Sequence, residues 1–265
     1  MIENMSVHPT AIIEDGAIIA ESAKIGPFCT IGSQVTIADD VQLLGHVSVS
    51  GRTTIGSDVM VHPFAVLGGP PQHLGYNGED TQLIIGSNVI IREHVTMNIG
   101  TQAGGGITRI GNHCMFMVGA HVAHDCKVSD HVIFANNATL GGHVRVGRNV
   151  FLGGLSAVHQ FSRIGDFSFV GGCAAVTSDL IPYGSAMGNH ARLVGLNVIG
   201  MKRNGVDRET IHRVRGAYKA LFESSDNFVD RLANVKATYS DIKQISEIIS
   251  FIEDDASRSL MGPAR

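Results

Sequence analysis

The chain repeats an apolar residue, usually aliphatic, every six positions through most of its first 176 residues. The repeat is unbroken from residue 110 to residue 176, and it also runs from 13 to 67 and from 85 to 97. An α-helix repeats its faces every 3.6 residues and a β-strand every two, so neither alone gives a period of six. A repeat kept over so many cycles predicts a solenoid of short strands, in which each hexapeptide forms one flat side. The repeated residues are Ile13, Ile19, Ile25, Ile31, Ile37, Leu43, Val49, Ile55, Val61, Leu67, Ile85, Ile91, Met97, Ile110, Phe116, Val122, Val128, Phe134, Leu140, Val146, Leu152, Val158, Ile164, Val170 and Val176.

A second column of small or β-branched residues stands two positions before these apolar residues. Ala23, Cys29 and Val35 are examples, and Cys114 and Cys126 fall in the same column. Residues i and i−2 of a strand share a face, so both columns are predicted to point inward. At three hexapeptides per turn the chain forms about eight coils.

The breaks in the repeat predict the domain organisation. We expect residues 1–180 to form the β-helix, with loop excursions at 68–82 and 100–107. Residues 181–206, rich in Gly and Asn, are predicted to be a connector, and 207–265 a C-terminal helical domain. Asp207 is a candidate helix cap, and Ile211, Val214 and Tyr218 follow it at helical spacing. We interpret the helices as a cap on the last coil, because an open parallel edge would invite aggregation.

Composition narrows the class of protein. A net charge of −4 and a charged fraction of 17% argue against a nucleic-acid partner. The four cysteines contain no CxxC pair, and the sequence has no secretory signal, which together predict a reduced, cytoplasmic location. No apolar run approaches the roughly 20 residues that span a bilayer, so we do not expect an integral membrane protein. All but two of the 32 glycines precede residue 207, which we attribute to a need for permissive backbone at the corners of the coil.

Polar residues of the repeat converge once the coils are stacked. Residues 18 apart lie one above the other, which gives three neighbouring columns: His124, Gly142 and Gln160; Asp125, His143 and Phe161; Ala123, Gly141 and His159. A histidine titrates near neutrality and can accept a proton from a hydroxyl group. A glycine leaves its backbone N–H open to an approaching oxyanion, as acyl transfer requires. We expect His124 to lie on the outer face of the coil and the patch to catalyse acyl transfer.

Four short segments carry a resemblance to a known family. They are residues 121–125 (HVAHD), 141–143 (GGH), 158–161 (VHQF) and 188–191 (GNHA). In this order, and with the hexapeptides and helical tail, they resemble the UDP-N-acetylglucosamine acyltransferases of lipid A synthesis. The resemblance implies a left-handed parallel β-helix with a C-terminal α-helical domain, a homotrimer, and active sites between neighbouring subunits.

The same resemblance implies a reaction. A 3-hydroxyacyl group would pass from acyl carrier protein to the 3-hydroxyl of UDP-N-acetylglucosamine, as the first step of lipid A biosynthesis. The phosphopantetheine thioester of the carrier is already activated, so no metal or other cofactor is expected.

Roles for single residues also come from the resemblance. It implies that His124 is the general base, that Asp125 orients it, and that Gly142 donates to the oxyanion. Residues implied in substrate binding are His73, Leu74, His121, His143, His159, Gln160, Asn197 and Arg203. Gly172 and His190 are implied to line the acyl groove.

Several departures from the family pattern leave the acceptor open. His73 stands where Asp is usual, Asn98 and Ile99 replace His and Arg, and Ile199 and Asn204 replace Glu and Arg. A 3-amino UDP-sugar therefore remains an alternative acceptor to the 3-hydroxyl sugar.

Three other functions are compatible with the same coil. One is a nucleotide-sugar N-acetyltransferase that uses acetyl-CoA. Another is a zinc-dependent carbonic anhydrase, which the sequence disfavours because no two histidines are five residues apart. The third is a scaffold without catalytic activity. The sequence Gly104–Gly106 lacks a following Lys-Ser/Thr and is interpreted as a flexible excursion, not a phosphate loop.

Overall fold

The described chain is a coil of short parallel strands followed by helices. A computed structural model describes residues 6–224, 226–254 and 257–263. The strands are β1 Ile12–Ile13, β2 Ile18–Ile19, β3 Lys24–Ile25, β4 Thr30–Ile31, β5 Thr36–Ile37, β6 Gln42–Leu43, β7 Ser48–Val49, β8 Arg52–Ile55, β9 Met60–Val61, β10 Val66–Gly69, β11 Gln82–Ile85, β12 Ile90–Ile91, β13 Thr96–Asn98, β14 Ile107–Ile110, β15 Met115–Phe116, β16 His121–Val122, β17 Lys127–Val128, β18 Ile133–Phe134, β19 Thr139–Leu140, β20 Arg145–Val146, β21 Phe151–Leu152, β22 Ala157–Val158, β23 Arg163–Ile164, β24 Phe169–Val170, β25 Ala175–Val176, β26 Gly184–Met187 and β27 Arg192–Leu196. The helices are a 3₁₀ turn at Gln102–Gly104, α1 Val198–Arg203, α2 Arg208–Phe222, α3 Phe228–Tyr239 and α4 Lys243–Glu253.

Each strand of the coil pairs with the strand three places further along. In the described chain this produces three sheets, of nine, eight and ten strands, in which β1–β25 pair in parallel. Where no excursion intervenes, paired residues are 18 apart: His121 lies beside Thr139, and Lys127 beside Arg145. The hexapeptide prediction is therefore confirmed, because three six-residue sides make one complete turn.

The core of the coil consists of the two predicted inward columns. Phe116 and Phe134 are fully buried, with ring centroids 4.5 Å apart, at the centre of a run of Ile, Leu and Val. Cys29, Cys114 and Cys126 are buried in the small-residue column, as predicted. Each buried aliphatic or aromatic side chain contributes about 1.5–3 kcal/mol, so the stability is spread along the whole coil.

Glycines serve the coil in two ways, of which the sequence predicted one: Gly16 and Gly119 lie at corners with positive φ of 104° and 71°. Many corners place a residue other than glycine at positive φ; Asp125, His143 and Phe161, in one column, have φ of 60°, 62° and 66°. Glycines that follow the repeated apolar residue meet another requirement. A Cβ on Gly26 would lie 2.5 Å from the Leu44 carbonyl oxygen, and one on Gly153 would lie 2.5 Å from the Gly172 nitrogen. Close approach of adjacent coils, and not permissive backbone, explains these glycines.

Residues 181–206 contain regular structure where a connector was predicted. Strand β26 pairs in parallel with β24, so the ten-stranded sheet continues into this segment. Strand β27 then pairs with β26 in the antiparallel direction, and the sheet ends there. Helix α1 follows β27 directly.

The predicted helices are present. Asp207 caps α2, because its Oδ1 accepts a hydrogen bond of 2.9 Å from the Thr210 backbone nitrogen. Helices α3 and α4 pack with α2 through Val235, Ile245 and Ile249, which are buried. Across the described residues, the helices are too short or too polar to cross a bilayer.

Arg163 joins the helices to the last coils. Its Nε lies 2.7 Å from Asp179 Oδ2, its Nη1 lies 3.0 Å from Asp254 Oδ2, and its guanidinium stacks 4.3 Å from the centroid of the Phe251 ring. Arg163 and Asp179 are both buried, and breaking a buried pair of this kind costs about 3–5 kcal/mol. The helices are therefore fixed to the coil near its carboxyl end.

Candidate active site

The three predicted columns form in the structure. The His143 nitrogen donates to the His124 carbonyl oxygen at 3.0 Å, and the Phe161 nitrogen donates to the Gly142 carbonyl oxygen at 3.0 Å. The rings of His143 and Phe161 stack with centroids 4.4 Å apart. The spacing of 18 therefore places these side chains in adjacent coils, as the sequence predicted.

His124 and Asp125 form a buried pair at the centre of these columns. His124 Nδ1 lies 2.8 Å from Asp125 Oδ2, and the two residues are only 7% and 4% exposed. The expectation placed His124 on the outer face of the coil; the structure adds that the pair is covered there by the loops that carry His73 and Thr101. A carboxylate accepts hydrogen bonds, so His124 Nδ1 carries the proton and Nε2 is left as the basic atom.

The loop excursion at 100–107 supplies the other partners of Asp125. The Thr101 nitrogen donates to Oδ1 at 2.9 Å, and the Thr101 hydroxyl donates to Oδ2 at 2.6 Å. Thr101 also caps the 3₁₀ turn, and a Cβ on Gly104 in that turn would lie 2.1 Å from Asp125 Cγ. The excursion interpreted as flexible is thus folded onto the carboxylate. Its hydrogen bonds fix the direction of the Asp125 carboxylate.

Sequence reasoning missed Thr101 and a second threonine. Thr108 Oγ1 accepts a hydrogen bond of 2.8 Å from the Asp125 nitrogen, which supports the positive φ of that residue. Threonine is a favoured helix N-cap residue, and this preference was the available signal for Thr101. Thr108 lies at an inward position of β14, and the residues around it carry no signal for a hydrogen bond to Asp125.

Gly142 lies directly beside the imidazole of His124. A Cβ at this position would be 2.6 Å from His124 Cε1 and 2.8 Å from Nε2. The glycine therefore makes room for the base. Its role as oxyanion donor stays a prediction.

Two more histidine rings face His124. The His143 ring is 5.0 Å from it and the His73 ring 5.4 Å, both edge to face. His143 Nε2 is 3.8 Å from Asp125 Oδ2. The structure thus brings the loop at 68–82 onto the catalytic columns, with His73 at the position that the resemblance assigns to substrate binding.

Burial controls the charge of the neighbouring histidines. It lowers the pKa of His121, whose Nδ1 lies 2.7 Å from the Thr96 hydroxyl. It also lowers the pKa of His143, an effect that the Asp125 carboxylate partly opposes. Both rings are therefore neutral at pH 7, and they can hydrogen-bond to a substrate without adding positive charge beside the base.

The predicted nucleotide residues belong to the segment after the coil. Asn197 caps α1: its Oδ1 accepts from the Gly200 nitrogen at 2.9 Å, and its Nδ2 donates to the Phe167 carbonyl at 2.9 Å. Arg203 is exposed in the last turn of the same helix. Their binding roles stay predictions, since no contact among the described residues joins them to His124.

The remaining predicted residues lie on the surface of the single chain. Leu74 is fully exposed at the loop that carries His73. Gly172 and His190 are exposed, and a Cβ on Gly172 would lie 3.2 Å from the Gly154 carbonyl oxygen. His159 and Gln160 are also exposed. These positions leave their substrate contacts as predictions.

His124, Asp125 and His143 have the donor types of a metal site. One ligand atom from each lies within 4.8 Å of the others. Nitrogen and carboxylate donors suit zinc, but His124 Nδ1 and both Asp125 oxygens are already hydrogen-bonded. A metal at this point would have to displace the contacts that orient the base.

A small cavity of about 260 Å³ adjoins the columns. Asp125, His143, Phe161, Lys127 and Arg145 are among its lining residues. Small-molecule sites usually occupy about 300–1,000 Å³. This cavity is therefore below the usual size of a small-molecule site.

Together, the hexapeptide coil and the buried His–Asp pair over a glycine define a hexapeptide-repeat transferase equipped for acyl transfer. A family profile described as bacterial transferase hexapeptide (six repeats) matches residues 107–142, and one described as UDP N-acetylglucosamine O-acyltransferase, domain 2, matches residues 179–261.

Whole-chain comparisons identify the family. The acyl-[acyl-carrier-protein]–UDP-N-acetylglucosamine O-acyltransferase of Caulobacter vibrioides is 56% identical over 98% of this chain and 99% of its own. That of Rhizobium etli is 49% identical over 99% and 97%. The solved structure of LpxA from Acinetobacter baumannii is 40% identical, with a TM-score of 0.94 over 97% of this chain and all of that one. The chain belongs to the UDP-N-acetylglucosamine O-acyltransferase family, and its coil is the left-handed parallel β-helix of that family.

The position of Gly142 gives a direct test of the geometry. Gly142→Ala should lower kcat for acyl transfer by about 100-fold, because the methyl group displaces the His124 ring from its place above residue 142. Steady-state kinetics with circular dichroism on the same preparation would measure this effect. Gly32→Ala is the matched control, since its Cβ meets only ordinary contacts of 3.5 Å or more. Unchanged kcat in a folded Gly142→Ala enzyme would contradict the placement of the base.

Proposed function

We propose that this protein transfers a 3-hydroxyacyl group from acyl carrier protein to the 3-hydroxyl of UDP-N-acetylglucosamine, the first step of lipid A biosynthesis. The observation that carries the proposal is the buried His124–Asp125 pair beside Gly142. The names of relatives up to 56% identical over nearly the whole chain support the donor and the acceptor. We infer a cytoplasmic reaction, because the four cysteines are free thiols and disulfides persist mainly in oxidising compartments.

The mechanism follows from the direction of the hydrogen bond between His124 and Asp125. Asp125 holds His124 Nδ1–H, so His124 Nε2 removes the proton from the sugar hydroxyl as its oxygen attacks the thioester carbonyl carbon. The Gly142 N–H stabilises the oxyanion of the tetrahedral intermediate. The C–S bond then breaks, and the protonated His124 returns the proton to the departing carrier thiol. The thioester is already activated, so the proposal needs no metal or other cofactor.

Substrate contacts are assigned around this centre. The neutral rings of His121 and His143 hydrogen-bond the sugar and acyl groups, together with His73 and Leu74 of the loop and His159 and Gln160 of the next coil. Asn197 and Arg203 bind the nucleotide. Gly172 and His190 bound the acyl chain. These are proposals, supported for His73 and His143 by the contact of their rings with that of His124.

Asn98 favours a second candidate acceptor, a 3-amino UDP-sugar. Asn98 is 7% exposed, and its Oδ1 finds no hydrogen-bond partner among the residues that the structure describes. Its Nδ2 donates to the Pro70 carbonyl at 3.0 Å, at the base of the loop that carries His73. A neutral amine has two N–H groups, so it can give one proton to His124 and still donate to Oδ1, whereas a hydroxyl has only one proton. A buried orphan oxygen costs about 1–3 kcal/mol, which such a donor would relieve.

A side-by-side assay of the two acceptors tests the proposed reaction and decides between them. UDP-N-acetylglucosamine and its 3-amino analogue are supplied separately with a mixture of hydroxyacyl carrier proteins and a metal chelator, and products are identified by mass spectrometry. We expect an O-acylated sugar from the first acceptor. A kcat/KM at least tenfold higher for the amine, about 1.4 kcal/mol of transition-state preference, would overturn the hydroxyl assignment. No acylated product from either sugar would refute the proposed function.

We also propose a homotrimer, on the strength of an apolar column outside the ten-stranded sheet. Six successive outward residues of this sheet are apolar and not buried: Met60, Ile90, Met115, Ile133, Phe151 and Phe169. The rings of Phe151 and Phe169 stack 5.6 Å apart. A continuous exposed apolar surface indicates an interface, and closed symmetry makes it self-limiting. The small cavity of the single chain is consistent with a site completed by a neighbouring subunit.

Light scattering would measure the assembly. We expect a mass of three times 28.1 kDa for the wild type at micromolar concentration. Ile133→Glu should dissociate it, because a charge in the middle of the apolar column cannot be buried without a partner. Gln42→Glu is the matched control, since Gln42 occupies the same outward column beyond the apolar run. A monomeric wild type would contradict the proposal.

A further inference from the structure

Arg258, in the C-terminal segment, contacts His159 and Gln160 of the coil. Arg258 Nη2 lies 2.9 Å from His159 Nδ1, and Arg258 Nε lies 3.1 Å from the Gln160 carbonyl oxygen. One guanidinium therefore spans two neighbouring residues that are nearly 100 positions away in sequence. Neither the hexapeptide pattern nor the motif segments include Arg258.

The backbone beside Arg258 is anchored to the coil. The Asp179 nitrogen donates to the Ser259 carbonyl at 2.9 Å, and the Met261 nitrogen donates to the Asp179 carbonyl at 2.8 Å. Met261 is buried, and the side chain of Asp179 is held by Arg163. Arg258 is therefore presented from a strand-like segment that is paired with the last coil.

This contact determines where His159 carries its proton. A guanidinium only donates hydrogen bonds, so His159 Nδ1 must accept and the neutral ring must carry its proton on Nε2. The Gln160 carbonyl oxygen, 3.2 Å from His159 Nδ1, would accept from the opposite tautomer, but the Arg258 contact is shorter at 2.9 Å and the same guanidinium donates to that carbonyl. Protonation of Nδ1 would place an N–H against the arginine, and the hydrogen bond would be lost.

His124 and His159 therefore have opposite polarity. His124 Nδ1 faces a carboxylate, which leaves Nε2 as a proton acceptor. His159 Nδ1 faces a guanidinium, which leaves Nε2–H as a donor. Histidine thus has two roles here: His124 is the proton acceptor, and His159, in a neighbouring column, is a hydrogen-bond donor.

We propose that Arg258 is a positioning residue for substrate binding: it fixes His159 as the neutral Nε2–H tautomer, which donates a hydrogen bond to an oxygen of the nucleotide sugar. This inference rests on the proposed function. It adds the C-terminal segment to the substrate site, through His159 and the backbone of Gln160.

Arg258→Met tests the role kinetically. The KM for UDP-N-acetylglucosamine should rise about tenfold, while kcat changes by less than about threefold, because a ground-state contact is lost without moving His124. Arg213→Met is the matched control: Arg213 makes a similar two-point contact, with Asp241 in the helical domain, and its loss should leave both parameters unchanged.

A double-mutant cycle separates positioning from general destabilisation. In the His159→Ala background, Arg258→Met should raise KM by no more than about twofold, because Arg258 acts through His159. Full additivity of the two substitutions would overturn the proposal, as would an unchanged KM in the single Arg258→Met enzyme.

Nuclear magnetic resonance of ¹⁵N-histidine protein reads the tautomer directly, with the His159 signals assigned by their loss in His159→Ala. We expect a protonated Nε2 and an unprotonated Nδ1 in the wild type at pH 7, and a mixture of states in Arg258→Met. A wild-type signal from Nδ1–H would overturn the proposal. Because this readout needs no substrate, it still decides the tautomer if the acyl-transfer assay refutes the proposed function.

Discussion

The parallel hydrogen-bond register between successive coils is the constraint on which the rest of the structure depends. Most strands of the coil are only two residues long, so stability comes from repetition of the same pairing along the whole prism. A shift of one residue would exchange inward and outward side chains, so the buried columns hold the register in place. The same register then fixes which polar residues are neighbours. His124, Gly142 and Gln160 share one column because each is 18 residues after the one before, although no local motif contains all three.

The two loops that interrupt the regular coil create the environment of the candidate active site. The excursion at 100–107 covers Asp125 with Thr101 and Gly104, and the loop at 68–82 brings His73 against His124. These additions bury a histidine and a carboxylate that a bare prism would leave in water. Burial also keeps His121 and His143 neutral, so that neither adds positive charge beside His124. The repeat thus supplies the positions of the catalytic residues, and the interruptions supply their environment.

The sequence predicted the parts of the structure that follow from the six-residue period and from helix-capping preferences. The strands, the inward columns, the stacking of His143 on Phe161 and the cap at Asp207 all depend on spacing along the chain. Thr101 was missed because it lies in a segment that breaks the period, so no column assigns it a neighbour. Arg258 was missed for a similar reason: it belongs to a non-repetitive tail, and its contact with His159 depends on how that tail pairs with Asp179. The second role of glycine, at Gly26 and Gly153, was missed because close approach between coils is visible only in three dimensions.

The central claim is that His124 is the general base of acyl transfer. The most direct measurement is kcat of His124→Ala with hydroxyacyl carrier protein and UDP-N-acetylglucosamine, on a preparation whose fold is checked by circular dichroism. The account predicts a loss of at least about 100-fold, the lower end for general-base catalysis. A folded variant that retains more than half of the wild-type activity would remove His124 from the mechanism.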